Sequence, residues 1–471
     1  VYAPAIDKGY SDGSIVPNLP LPIDGWDSAK GFPLGGSSKY GPVPLRTALV
    51  SSLNSATAYT LLEYVGLADS KNYLINLGVN PAHISETGAG LALGTSGITP
   101  IEMAGAYATI ANSGVYLEPL SFRYVTDKEG NVILSAELIR EKRQVFKPST
   151  AWLVADMLVD AVEYGTGTRA QIEGMTIGGK TGTNQNATGV FFAGISPYYT
   201  TTLWIGHDMY DPLADDVYAS NSAAPLWQYI MSQLLDGLPN KSIIETSPLS
   251  LDLVSERICT VSGLLATDAC NEDPGDHTPK NYWFLDGTQP TKECDVHEIY
   301  TFCTISGKIA SSYCPTDLGI LEERCLLFLK QSSIYWDLSQ DNRDKYLPGT
   351  FMALNGLTVA ELTPDMENYH EYICDVHTEA WHTNQQTLLA AIEAATAQIE
   401  VSYAVLNDES LGLSEQHKLD LQAKITELEE LIANPNSTLV AIEQVTLELQ
   451  ILTDTLLTLY NPPPAPEGDE G

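Results

Sequence analysis

Lys180-Thr181-Gly182-Thr183, preceded by Gly178-Gly179, joins a cationic amine to two hydroxyls and a glycine that lets another molecule approach the backbone closely. A lysine with adjacent hydroxyls can hold a terminal carboxylate, and an exposed N–H beside it can help stabilise an oxyanion. A second polar group, Ser52-Leu53-Asn54, lies 126 positions earlier, with Ser51, Ser55 and Thr57 crowded into an otherwise apolar run. Taken alone, that segment reads as a helix end or helix–helix turn whose side chains cap backbone groups. His83, His207, His277, His370, His382 and His417 are scattered without a nucleophile and an acid to pair with, so a serine–histidine–aspartate triad is unsupported.

These residues need elements to carry them. Met175 to Gly179 runs into the lysine motif, and Val190 to Ile195 follows after a polar segment, as neighbouring strands of one antiparallel sheet would. Strand alternation then places Lys180 and Gly182 on one face and Thr181 and Thr183 on the other. Val190 to Ile205 reads as two strands around Ser196-Pro197, and Leu45 to Tyr64 as one amphipathic helix containing Ser52 and Asn54. The fold class expected for residues 1–245 is α+β.

The chain has 471 residues and begins at Val1, which reads as a piece of a longer product. With 24 Lys+Arg against 60 Asp+Glu, its net charge of −36 repels nucleic acid and anionic membranes and suits an extracellular protein. No window approaches the roughly 18 to 20 apolar residues of a membrane span, so the chain should be soluble and any anchor is expected upstream. The acidic cluster Asp208, Asp211, Asp215 and Asp216 lacks regular ligand spacing and reads as an exposed loop. No metal and no cofactor is expected.

All seven cysteines, Cys259, Cys270, Cys294, Cys303, Cys314, Cys325 and Cys374, lie past position 258 and set a boundary near 245. CTVSGLLATDAC and CTISGKIASSYC repeat at an offset of 44, and CDVH occurs at Cys294–His297 and Cys374–His377. Neither CDVH copy has the paired spacing of a zinc module, so residues 246–383 are expected to be small β/loop modules stapled by disulfides, with one thiol left over. Asn281 to Leu285 reads as a strand. Residues 384–460 carry three helical stripes: Leu388, Ile392, Ala395, Ile399; then Leu421, Ile425, Leu428, Ile432; then Leu439 through Leu459. Ser414 and Ser437 are the expected N-caps, and an antiparallel three-helix bundle is the natural solution, with self-association through a longer coiled coil as its rival. Residues 461–471 form a Pro-rich acidic tail.

VYAPAIDKG at the start, YGPVPLRTALVSSLN at 40–54, LALGTSGITPIEMAGAYATIANSGVYLEP at 91–119, GTGTRA at 165–170 and GGKTGT at 178–183 occur in one order. In these stretches the chain resembles the C-terminal part of the transpeptidase domain of class A, bifunctional penicillin-binding proteins. The resemblance implies a penicillin-binding transpeptidase fold, an antiparallel sheet with helices, incomplete at its N-terminus. It implies peptidoglycan stem peptides and β-lactam antibiotics as partners, at the extracellular face of the plasma membrane of a Gram-positive-type bacterium. Ser52 would relay protons, Asn54 would hold the substrate amide and Lys180 would polarise Ser52; Thr181, Gly182 and Thr183 would bind substrate. The family's nucleophile is a serine three residues before a lysine, and no lysine here has one. The fragment alone is therefore expected to be inactive; the alternative is a non-catalytic module that binds wall peptides.

Overall fold

The structure is a computed structural model describing residues 1–19, 41–184, 187–273, 275, 277–328, 362–366 and 369–461. It falls into two compact units, Val1–Ile299 with Arg324–Glu361, and Tyr300–Glu323 with Leu362–Gly471. The proposed tail lies outside the described residues beyond Asn461.

In the first unit, helix α1 (Tyr2–Asp7) is followed by strands β1 (Ile15–Asn18) and β2 (Gly41–Pro44), which pair antiparallel. Helices α2 (Leu45–Val50) and α3 (Asn54–Tyr59) come next, then α4 (Leu67–Asn76), α5 (Gly88–Leu93) and α6 (Pro100–Ala111). The expected single helix from Leu45 to Tyr64 is thus broken at Ser51–Leu53 and continues past α3 as a π-helical turn, Thr60–Val65. The helix stops because the Leu53 N–H returns to Ala48 O and the Ser52 N–H to Leu49 O, which turns the chain out of register.

Helix α6 opens on a capping box: Thr99 accepts from the Glu102 N–H while the Glu102 carboxylate accepts from the Thr99 N–H. Two small antiparallel pairs follow: β3 (Val115–Leu117) with β6 (Lys142–Gln144), and β4 (Tyr124–Thr126) with β5 (Val132–Ser135). Helix α7 (Ala136–Ile139) lies between β5 and β6, and the long α8 (Pro148–Glu163) then crosses the unit. Its Ala151, Leu153, Val154, Met157, Leu158 and Ala161 are buried against Val16, Leu45, Leu49, Leu53 and Ile195, so one core joins the helices to the sheet.

That sheet is β7 (Gly178–Thr183), β8 (Gly189–Ile195) and β9 (Thr200–Gly206), antiparallel in the order β7-β8-β9. Both strands expected around Ser196-Pro197 are present, and Ser196 closes their turn, its Oγ accepting from the Tyr199 N–H at 2.9 Å. Gly178 and Gly179 are needed for packing: a Cβ on Gly179 would sit 2.6 Å from Phe192 and 2.9 Å from Ala193 O. Helix α9 (Ala224–Leu234) packs on the sheet, with the Trp227 ring tilted 60° to that of Phe192 at a centroid distance of 5.1 Å.

Strands β10 (Leu253–Ile258) and β11 (Lys280–Leu285) pair antiparallel around a core of only Ile258, Tyr282 and Phe284. This module rests on the core around α8 through Trp283, whose ring packs edge-on to Trp152 and whose backbone N–H donates to Asp12 Oδ1 at 2.9 Å. Asp12 is fully buried and binds Arg46, which also reaches Asp156 and Asp160.

The disulfide expectation is corrected. All seven cysteines are free thiols. Cys259, Cys270 and Cys294 instead converge with His297 in the first unit, and Cys303, Cys314 and Cys374 with His377 in the second.

Among its described residues the second unit also contains, after the short helix Tyr369–Tyr372, three long helices, Glu379–Asn407, Glu415–Ala433 and Leu439–Tyr460, packed around Ala395, Ile399, Leu421, Ile425, Leu428, Ile442, Leu449 and Leu456. Ser402 Oγ and Thr453 Oγ1 meet inside this core at 2.8 Å. Ser414 caps its helix as expected, but the third helix is capped by Thr438, because the Ser437 hydroxyl donates back to Leu431 O. Leu459, placed on the apolar stripe by its spacing, is 60% exposed, because Leu456, Leu457 and Tyr460 are the residues of the last turn that face the bundle. Glu379–Asn407 starts five residues before the expected Asn384, capped by Thr378. It is also long and apolar enough, by length and composition, to cross a membrane, which corrects the reading that no segment is.

Candidate functional site

Ser52 occupies the turn between α2 and α3 at φ +56°, a left-handed conformation uncommon for a residue with a side chain. Such a backbone costs on the order of 1 kcal/mol and persists where surrounding structure over-determines it. Here two backbone hydrogen bonds onto the last turn of α2 impose it. Asn54 then opens α3 two residues later.

Lys180 approaches from β7. Its Nζ donates to Ser52 Oγ at 2.9 Å and to Thr181 O at 2.9 Å. Burial pushes its amine down from 10.5 to about 8, because no carboxylate offsets the loss of water around the charge. Near neutral pH a minor fraction of the amine is therefore free to accept a proton.

Thr181 Oγ1 lies 2.7 Å from Thr166 Oγ1. Thr166 is carried by a loop wedged between the ends of α2 and α8: a Cβ on Gly165 would sit 2.4 Å from Val50 O and 2.8 Å from Ala161 O. Sequence reasoning quoted this stretch as part of GTGTRA without assigning Thr166 a role. Its signal was a glycine–hydroxyl alternation matching that of the lysine strand.

Gly182 behaves differently from Gly178 and Gly179. A Cβ there would meet only Phe191 Cβ, at an ordinary 3.6 Å, so no packing inside the protein demands a glycine. Gly182 and Thr183 are exposed, and Thr183 Oγ1 accepts from the Ala219 N–H at 3.1 Å. β7 is the edge of its sheet, so one side of its backbone can receive an extended ligand. A cavity of about 270 Å³ reaches Lys180, the one β7 residue in its lining, and is otherwise walled mainly by apolar residues of the helices, among them Leu49, Tyr73, Leu91 and Tyr107.

The fold thus gathers Ser52, Lys180 and Thr181, with Thr166, into one hydrogen-bonded cluster. Asn54 adjoins it through the α2–α3 turn, while Gly182 and Thr183 form the open end of the strand. Among the described residues, the two groups of three cysteines and a histidine are the sets that could hold a metal, and Asp208, Asp211, Asp215 and Asp216 do not converge.

Residues 5–232 match the penicillin binding protein transpeptidase domain, and residues 251–299 the C-terminal domain of penicillin-binding protein 1A. The chain belongs to the penicillin-binding protein family. Its fit is to the C-terminal region of a class A member, as the motif order implied. It is 34% identical over 342 residues to penicillin-binding protein 1A of Clostridium botulinum, covering 69% of this chain and 39% of that protein. Penicillin-binding protein 1A of Clostridium perfringens is 31% identical over 309 residues, covering 63% of this chain and 36% of the relative. The chain therefore spans about two fifths of the length of these relatives. The crystal structure of penicillin-binding protein 1A from Haemophilus influenzae superposes with a TM-score of 0.51 at 24% identity, covering 62% of this chain and 47% of that one, which supports the same penicillin-binding fold.

Proposed function

We propose that the edge of β7 and the α2–α3 turn form the substrate-binding part of a peptidoglycan D,D-transpeptidase site. The observation that carries this reading is the 2.9 Å hydrogen bond from Lys180 Nζ to Ser52 Oγ, which joins two motifs 128 positions apart. In this reading a stem peptide lies along β7. The Thr181 and Thr183 hydroxyls and Lys180 hold its terminal carboxylate, Asn54 holds its amide, and the bare backbone at Gly182 admits the scissile carbonyl. The Thr183 N–H donates to the oxyanion.

A serine hydroxyl attacks the penultimate D-alanine carbonyl and gives its proton to the lysine three residues after it; the C–N bond breaks, and Ser52, polarised by Lys180, relays that proton to the departing D-alanine amine. An amine from a neighbouring stem then attacks the ester, forming the cross-link and returning the proton to the serine. β-Lactams stop at the acyl stage. The attacking serine, three residues before a lysine, is not among these 471 residues, so this chain alone supplies recognition and proton relay without forming the acyl-enzyme. The site operates on the wall, at the outer face of the bacterial membrane.

The test is covalent labelling by fluorescent penicillin, read by gel and intact mass, on this chain and on the intact product of its gene. Label on the intact product alone, lost in Lys180→Ala, is the expected result. A folded intact product that takes no label overturns the enzyme reading and leaves a module that binds wall peptides without turning them over.

A further inference from the structure

The cysteine repeats form two copies of one three-dimensional motif. In the first, CTVSG turns on Gly263 at φ +74°, whose N–H returns to Cys259 O at 2.9 Å. In the second, CTISG turns on Gly307 at φ +71°, whose N–H returns to Cys303 O at 2.8 Å. The next cysteine closes a turn in each copy, with Cys270 N–H to Thr267 O and Cys314 N–H to Ser311 O, both 3.1 Å. The third is brought back by a parallel bridge, with Cys294 N–H to Leu265 O and Cys374 N–H to Ile309 O, both 2.8 Å. The CDVH histidine follows three positions later. Two segments related by different loop lengths, 23 residues between the second and third cysteines in one copy and 59 in the other, arrive at the same arrangement.

The distances are those of a tetrahedron. His297 Nδ1 lies 3.4 Å from the sulfurs of Cys259 and Cys294; His377 Nδ1 lies 3.3 Å from that of Cys303 and 3.5 Å from those of Cys314 and Cys374. Zinc–sulfur and zinc–nitrogen bonds of about 2.3 and 2.05 Å at tetrahedral angles separate S from N by about 3.5 Å. Within each group all four ligand atoms lie within 4.8 Å of one another.

The surroundings suit a charged thiolate site. Val261 and Ser262 N–H groups point to Cys259 Sγ and the Thr267 N–H to Cys270 Sγ, each at 3.4 Å, and the His377 N–H points to Cys374 Sγ at 3.4 Å. The far nitrogen of His297 meets the Asp273 carboxylate at 2.6 Å, which fixes the ring with Nδ1 facing the sulfurs, as outer partners of metal-bound imidazoles do.

We propose that each copy binds one Zn²⁺ through three thiolates and one imidazole Nδ1: Cys259, Cys270, Cys294 and His297 in one unit, and Cys303, Cys314, Cys374 and His377 in the other. Each ion displaces three thiol protons to solvent, leaving a site of net charge −1 with the imidazole neutral. Four protein ligands complete the shell and leave no position for water or substrate, so the ions are structural. The first has clear work: it ties the end of β10, the following turn and the His297 strand into a module whose apolar core is only Ile258, Tyr282 and Phe284. Cys325 stands outside both shells, its Sγ directed to Ala269 O at 3.3 Å.

The experiment is to purify the full 471-residue chain without reductant, measure bound zinc by mass spectrometry of the metal, and alkylate it in denaturant with chelator. Two zinc ions per chain and seven alkylatable thiols are expected. His297→Ala and His377→Ala should each lower the count towards one, while Cys325→Ser should leave it at two. Metal-free protein with fewer than seven titratable thiols overturns the proposal in favour of disulfides. Two bound ions insensitive to both histidine substitutions overturn the ligand assignment. The wild-type count decides the matter even where a variant fails to fold.

Discussion

Replacing Lys180 by methionine separates the stability of the site from its use. Burial lowers the Lys180 amine from 10.5 to about 8, and at about 1.4 kcal/mol per pH unit this corresponds to about 3 kcal/mol of unfavourable desolvation. The unfolded chain holds this proton up to pH 10.5 while the folded chain releases it near 8, so between those values the unfolded state binds more protons and stability rises with pH. Below about pH 8 both states are charged and the full cost is present. The hydrogen bonds to Ser52 Oγ and Thr181 O return part of it, about 1 kcal/mol each. Lys180→Met should therefore be more stable than wild type at pH 7 by about 1 kcal/mol, with the advantage shrinking and reversing towards pH 10. Urea denaturation of both chains at pH 7, 8.5 and 10, taken as a difference, cancels the titration of thiols and tyrosines elsewhere. Parallel stability profiles for the two chains would refute the claim that a desolvated charge sits at this position. In the intact gene product the same substitution should abolish penicillin labelling.

Arg46→Met strips the partner from the fully buried Asp12 and should cost about 3–5 kcal/mol in denaturant unfolding; a loss below 1 kcal/mol would mean that Asp12 is neutral in the folded chain. Gly165→Ala would drive a methyl group onto Val50 O at 2.4 Å, so it should destabilise the first unit by roughly 1–3 kcal/mol and move Thr166 off Thr181. That change is checked by thermal unfolding and by reduced penicillin labelling of the intact product. Burial works against the Glu102 charge, but the Asn80 and Thr99 N–H groups, the Thr99 hydroxyl and His83 outweigh it and hold the carboxyl at about 2, below its ordinary 4.5. Its stabilisation is present above pH 4.5 and lost as the pH falls towards 2, so Glu102→Gln should destabilise by about 1–3 kcal/mol at pH 7 and by little at pH 2.5.

Local pattern carried much of this protein. The two strands around Ser196-Pro197 follow from period-2 alternation, the stripes through Leu421, Ile425 and Leu428 follow from helical spacing, and the Ser414 cap follows from a polar residue placed before such a stripe. Short motifs in fixed order pointed to the penicillin-binding family because each carries its own backbone demand. Where several local choices were close in energy, tertiary contacts decided. Leu45–Tyr64 is apolar enough to run as one helix, yet the turn at Ser52 is set by how α2 docks under α8 and by the lysine arriving from β7. Thr438 rather than Ser437 caps the last helix because Ser437 finds a carbonyl three-dimensionally nearer.

The cysteines show the division most clearly. The sequence held both repeats and both CDVH segments, but pairing by spacing favours bridges within a repeat, since only short loops are visible along a chain. The proposed ligand sets join each repeat to a CDVH segment separated from it by 23 residues in one copy and 59 in the other, and parallel bridges at Leu265 and Ile309 bring them together. Composition and periodicity determine which segments form and which faces they bury; convergence of side chains from distant segments is a property of how those segments pack.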